Sequence, residues 1–320
     1  MRALKTILTA GCLAWFASVA TAEDKPRIGL TYIVEHPAID AVREGIIEGL
    51  ASVGYVGGET IEFVIRSAQG SMATQAQIGN EFAGLDLDLV IAISTPSAQT
   101  LKNAMKDKPV IFAAVTDPVG AGLVTSMAEP GGSVTGTSDQ QPYPPVLELI
   151  KKLVPDAKTI GVIFNPGEAN SVSQVEALKA AALPYELTIV ESPAAQSTLV
   201  GDAARSLVGR TDAILLPTDS TVVSVVESVV SVGKAARLPV FASDTGSVER
   251  GAVAALGFNY FEMGKLTARM AEKVLKGSNP GEIPAQVPES QDLYLNATSA
   301  KAMGVDVPED MLADATKVVD

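Results

Sequence analysis

From Arg27 onward the sequence alternates short apolar runs with helix-length segments, and it does so twice in the same order. The stretch Leu89–Pro118 shows the unit. Leu89–Ser94 and Pro109–Val115 are apolar runs too short for a full helix, and each ends in small polar residues. The segment between them opens on Ser94, Thr95 and Pro96, a helix start. A strand–helix–strand unit of this size is parallel, so both strands present their carboxyl ends at one edge. Further expected strands are Arg27–Val34, Ile61–Ile65, Lys158–Phe164, Glu186–Glu191, Asp212–Leu216, Pro239–Ser243 and Ala252–Gly257. Expected helices include Ala38–Val53, Ser71–Ala83, Tyr143–Val154, Ser171–Ala182, Gln196–Val208, Ser220–Ala236 and Phe261–Lys276. The order implies an α/β fold with parallel sheets. Arg27-Ile28-Gly29-Leu30 is matched by Thr159-Ile160-Gly161-Val162. Asp88–Ile91 followed by Thr95 is matched by Asp212–Leu215 followed by Thr218, and Lys108–Phe112 ending near Asp117 by Leu238–Phe241 ending near Asp244. Three matches in order at nearly constant spacing predict two similar lobes.

The 320 residues suffice for two such lobes. Hydrophobic residues make up 47% and charged residues 19%, an ordinary globular balance. The first residues read as an export signal: Arg2 and Lys5, an apolar stretch from Ile7 to Val19, then Ala20-Thr21-Ala22 as an A-x-A cleavage site. The stretch is short of the roughly 20 residues that span a bilayer. Cleavage after Ala22 removes Cys12, the only cysteine, so neither a disulfide nor thiol chemistry is expected. The formal charge of −13 becomes more negative by two with the leader gone, which argues against nucleic acid or an anionic membrane as partner.

Polar residues collect at the expected strand ends. In the first half these are Tyr32 and His36, then Thr95 and Ser97, then Thr116 and Asp117. In the second they are Asn165, Glu168, Asn170 and Ser171, then Thr218 and Asp219, then Ser243 and Asp244. Lobes that face each other would bring both rims to one cleft, a preferred place for ligands. The Thr95–Ala98 turn, with Ala98 in the first helical turn, offers free N–H groups and a positive dipole end to an anion, or is simply capped by Ser94 or Thr95. Asp117, Asp219 and Asp244 are candidates for a ligand ammonium. The alternatives are an Asx turn before Pro118 for Asp117 and a helix cap for Asp219. Asp139 lies at an expected crossover, where it either meets ligand or makes a hinge hydrogen bond. Tyr260 follows the Ala252–Gly257 strand, and either faces the cleft or packs on its own helix.

A single histidine excludes the usual multi-histidine metal sites. G-x-S-x-G, H-E-x-x-H, G-x-x-x-x-G-K-[ST] and G-x-G-x-x-G are all absent. No metal or cofactor is expected.

Several segments carry a resemblance. Val34-Glu35-His36-Pro37, Ser94–Gln99, Thr116–Val124, Leu216–Ser220 and Asn259–Gly264, behind an exported N-terminus, resemble type I periplasmic substrate-binding proteins of ABC transporters. The family in question includes binders of tryptophan, tyrosine and phenylalanine. The resemblance implies two similar doubly wound parallel-sheet lobes joined by a multi-crossover hinge. It implies a leader at 1–22, a first lobe from 23–138 and 257–288, and a second from 139–256 and 289–320. It also implies no enzyme activity, but a periplasmic, monomeric receptor. Such a receptor closes by hinge motion on a small amino acid-like ligand, an aromatic one among the candidates, and delivers it to an inner-membrane permease. The ligand carboxylate would meet the Thr95–Ala98 turn, and its ammonium an acid of the facing rim. Tyr32, His36 and Pro37 could pack on its side chain. Pro166-Gly167 departs from the pattern in a loop expected to shape the side-chain pocket. The competing classes are an exported hydrolase using serine, His36 and aspartate, and a ligand-sensing module for a membrane receptor.

Overall fold

The computed structural model describes residues 25–106 and 108–319. The leader and its cleavage site lie outside them. In chain order the first part comprises β1 (Arg27–Tyr32), α1 (Pro37–Ser52), β2 (Glu62–Ser67), α2 (Met72–Gly84), β3 (Leu89–Ile93), α3 (Thr95–Met105), β4 (Val110–Ala113) and β5 (Val134–Gly136). The second runs through α4 (Tyr143–Leu153), β6 (Thr159–Phe164), α5 (Ala169–Ala182), β7 (Thr188–Pro193), α6 (Ser197–Leu207), β8 (Ala213–Leu216), α7 (Ser220–Val223), α8 (Val226–Ala236), β9 (Val240–Ala242), α9 (Thr245–Glu249) and β10 (Ala254–Phe258). The remainder is α10 (Tyr260–Leu275), β11 (Gln291–Asn296), α11 (Ala297–Ala302), α12 (Glu309–Asp314) and β12 (Lys317–Val319).

The repeat seen in the sequence is a repeat of topology. The first sheet has strand order β2-β1-β3-β4-β5. The second contains β7-β6-β8-β9-β10, the same order shifted by five strands. All of these neighbours pair in parallel. Every residue of β3 is buried, as expected for a central strand covered on both faces. Alternate residues serve opposite faces. Ile91 and Ile93 join a core with Val42, Ile46 and Leu50 of α1, whereas Val90 and Ala92 pack with Phe82 of α2 and Leu101 of α3.

Parallel pairing does not hold throughout. β11 runs antiparallel to β10, and β12 follows it on the sheet edge. The expected helix Ser220–Ala236 is two helices. The Arg250 guanidinium takes the carbonyls of Val223 and Ser224, which ends α7 before α8 begins. The short helix α9 stands where the sequence suggested only a strand end.

The chain leaves the first sheet through Thr137–Gln141, returns after β10, and leaves again between Gln286 and Gln291. These passages are tied together: Thr137 bridges Gln286, Thr137 and Thr267 hydroxyls lie 2.8 Å apart, and the Gln141 amide donates to the Leu256 carbonyl. The return is held because α10 packs on α1 backbone to backbone. A Cβ on Gly45 would lie 2.1 Å from the Phe261 carbonyl oxygen, and one on Gly264 2.3 Å from that of Val42. Only glycine permits that approach.

Candidate functional site

The carboxyl ends of β1, β3 and β4 face those of β6, β8 and β9, and the space between the two rims is a cavity. The β1–α1 turn supplies His36. Its Nδ1 accepts from the Ala38 N–H at 3.2 Å and caps α1, so the ring proton sits on Nε2. Nε2 points at Asp244 Oδ1 of the opposite lobe from 3.7 Å, too far for a hydrogen bond. Burial holds the imidazole below its ordinary 6.5, against the pull of the Asp244 carboxylate.

At the end of β3, Ser94 adopts φ 81° and ψ 157°, and at the end of β4, Ala114 adopts φ 52°. A non-glycine residue in such a region costs of order 1–3 kcal/mol. Both residues line the cavity. Ser94 occupies the cap position of α3, but its hydroxyl makes no capping bond. Pro96 has no N–H, and the Ala98 N–H goes to the Ser94 carbonyl. Among the described residues, the N–H groups of Thr95 and Ser97 have no protein acceptor. Thr95 lines the cavity. The Ser97 hydroxyl instead donates to Gln75 inside the first lobe, and Ala98 is core.

Asp139, Thr116 and Tyr260 form the floor beside the crossing segments. Asp139 accepts from the Thr116 hydroxyl at 2.9 Å and the Tyr260 hydroxyl at 3.2 Å. Burial raises its carboxyl above the usual range and pushes the Tyr260 phenol well above 10. From the second lobe, Asn170 donates through Nδ2 to the Thr218 carbonyl, which fixes the amide and aims Oδ1 at the cavity as an acceptor. Gln174 accepts from the Thr218 N–H and hydroxyl. Asp244 accepts from the N–H and hydroxyl of Ser247 and caps α9.

Of the residues singled out in the sequence, His36, Thr95, Thr116, Asp139, Asn170, Thr218, Asp244 and Tyr260 therefore share one cavity wall. The others lie elsewhere. The Tyr32 hydroxyl accepts from Arg43. Asp117 closes its own turn on the Gly120 N–H and accepts from Ser173 of the other lobe at 2.8 Å. Ser171 and the Asn165 N–H donate to Asp219, whose other oxygen caps α7 through the Val222 N–H. Glu168 takes the first two N–H groups of α7, from Ser220 and Thr221. Burial, and then Glu168, push Asp219 up to about 7. Asn165, Gly167 and Glu168 border an open outer groove beyond Val34 and Ser220, so the Pro166-Gly167 loop shapes the mouth of the cleft. The apolar wall, Val34, Ala38, Ile39, Ala114 and Val223, carried no sequence signal separating it from core.

The chemistry of the wall is specific. It holds two carboxylates and neither lysine nor arginine. Among the described residues, His36 Nε2, Ser94 Oγ and Asn170 Oδ1 are buried there with no protein partner. Leaving such atoms unpaired costs about 1–3 kcal/mol each. A small molecule with both donors and acceptors, and with a cationic group, would satisfy them.

The lobes touch directly around this cavity. The hydroxyls of Thr116 and Thr218 lie 3.2 Å apart, and Ser173 donates to Asp117. Among the described residues no helix is long and apolar enough to cross a membrane. Residues 27–319 match the family model of ABC transporter substrate binding proteins. A tyrosine-binding protein of Clostridioides difficile (strain R20291) is 41% identical over 276 residues, covering 86% of this chain and 80% of that protein. The crystal structure of an ABC domain in complex with L-Trp from Streptococcus pneumonia is 35% identical, superposes with a TM-score of 0.89, and covers 92% of this chain and 100% of that one. A ligand-free, open substrate-binding protein from Clostridium difficile is 40% identical over similar shares (92% and 99%), yet its TM-score is 0.70. These relatives are substrate-binding proteins, not enzymes. His36 is a helix cap, and among the described residues no serine hydroxyl bonds to it. The chain belongs to the ABC transporter substrate-binding protein family.

Proposed function

We propose that this protein is the periplasmic receptor of an ABC importer, acting as a monomer. It captures a small amino acid-like zwitterion, with an aromatic side chain among the candidates, by closing its lobes, and hands it to an inner-membrane permease. The cavity wall carries this reading: two carboxylates without a cation, opposite an uncapped helix end. The ammonium would sit on the Asp139 and Asp244 side. The carboxylate would take the Thr95 N–H, and Asn170 Oδ1 would accept a further ligand donor. The apolar wall would pack on the side chain, whose burial contributes about 1.5–3 kcal/mol. Closure excludes water and strengthens each polar contact. Two observations support closure: the direct lobe contacts, and a closer likeness to the L-Trp complex than to the open relative. The moving bodies are taken as 23–138 with 257–288, and 139–256 with 289–320. Export would follow cleavage after Ala22, which N-terminal sequencing of the periplasmic protein would check.

The test is calorimetric titration with L-tyrosine, L-tryptophan and L-phenylalanine, alongside sugars and carboxylic acids lacking an amine. The reading expects one-to-one binding of at least one amino acid, weakened at least tenfold when its amine is acetylated. Tight binding of an amine-free ligand would reject it.

A further inference from the structure

Two helices meet end to end across the cleft: α1 of the first lobe, capped by His36, and α9 of the second, capped by Asp244. The second residue of α9 is Gly246. A Cβ built there would stand 3.0 Å from His36 Cε1 and 3.1 Å from the Ala38 nitrogen, both on the opposite lobe. Those separations are shorter than an ordinary van der Waals contact between carbon atoms. Neither neighbour can step aside. Ala38 N is backbone, and the imidazole is pinned by the bond it accepts from that same N–H. The glycine is not needed for its backbone either, since Gly246 is helical and has no positive φ. In a helix, glycine is inferior to alanine. Within its own lobe such a Cβ meets only the Asp244 cap, at 3.2 Å from Oδ1, and the two closer contacts come from across the cleft.

We infer that Gly246 is the closure stop of this protein: its missing side chain sets how nearly α9 can approach α1, and so how fully the lobes shut on a ligand. The inference rests on the receptor reading above. It makes Gly246 a positioning residue, since it does not line the cavity. Its effect reaches the ligand through the closed geometry. A small opening at this junction lengthens contacts such as the 3.2 Å approach of Thr116 to Thr218, and overpacking in a closed interface is costly.

The test uses the full mature chain, which has no cysteine once the leader is gone. Spin labels on Val53→Cys and Val208→Cys, exposed positions on the two lobes, report lobe separation. L-tyrosine and L-tryptophan serve as probes. Wild type is expected to shorten the label distance on binding. Gly246→Ala should leave the ligand-free Tm nearly unchanged while affinity falls roughly tenfold. Gly246→Val should weaken binding further and leave the bound-state distance longer than in wild type. Gly246→Ala keeps the test decisive if the valine variant folds poorly. Wild type that binds neither probe and does not close would overturn the receptor reading itself. Wild type that closes, with both variants closing as fully and binding as tightly, would overturn the closure stop.

Discussion

The two lobes share one strand order and spend their strand-end residues differently. After β3, α3 begins with no side-chain cap and leaves N–H groups free. After β8, its counterpart α7 is capped twice over, by Asp219 and by Glu168. After β4, Asp117 folds onto its own turn and reaches across to Ser173, whereas Asp244 after β9 caps α9. The first lobe thus exposes donors, whereas the second commits Asp219 and Glu168 to its own helix ends and leaves only Asp244, itself a cap, at the cavity. The carboxylate on the cavity floor comes from neither rim but from the crossing segment, at Asp139. Equivalent positions in a repeated fold are not equivalent in chemistry. A helix end can be completed by its own lobe or left for something else to complete.

Four substitutions would break or sharpen this contrast. The largest effect is expected at Asp139. Asp139→Asn keeps the shape but removes the charge, and calorimetry should show affinity for an amino acid ligand falling on the order of a hundredfold, the usual cost of losing one partner of a buried charge pair. Thermal stability should change far less. Unchanged affinity would move the ammonium site to Asp244.

Second, Thr95→Asp places like charge at the open end of α3, where an acid otherwise suits the helix. Stability should hold while affinity falls more than tenfold. If affinity holds as well, the helix end is scaffold.

Third, Asp219→Asn separates capping from binding. It should lower stability by about 1–3 kcal/mol in urea unfolding, because three donors are left imperfectly paired. It should also alter the pH dependence. With Asp219 raised to about 7 from 3.8, the folded state holds a proton that the unfolded chain releases between those values. This group's contribution is therefore full below pH 3.8 and is lost as pH rises to 7. Removing it should reduce that slope, and an unaltered slope would mean that Asp219 does not titrate in this window.

The smallest effect is expected at Ser173→Ala, which loses one half-exposed bond to Asp117. Affinity should fall about threefold, within the range for a single net hydrogen bond, with the Asp117 turn intact.

The strand–helix order was legible because each strand is an apolar run bounded by small polar residues, and the second set of runs repeats the first. Strand direction at the edge was not: β11 reads like any strand, and it is antiparallel because the chain re-enters the second sheet from the hinge. The break after α7 depends on Arg250, distant in sequence, taking two carbonyls. In the site, polar residues at strand ends were the right places to look, yet side-chain direction settles their use. Thr95 and Ser97 are two residues apart on one helix, and a rotation of roughly 200° sends the second toward Gln75. Val34, Ile39 and Val223 could not be told from core, because a cavity wall and a core have the same composition until the opposite surface is known.

The central claim is that the cleft holds a zwitterion between the Asp139 floor and the open end of α3. Its most direct test is mass spectrometry of whatever is released when the purified native protein is denatured. The account predicts a single small molecule carrying both an amine and a carboxylate, in up to one-to-one amount and lost from the Asp139→Asn variant. A released sugar, or an acid without an amine, would contradict it.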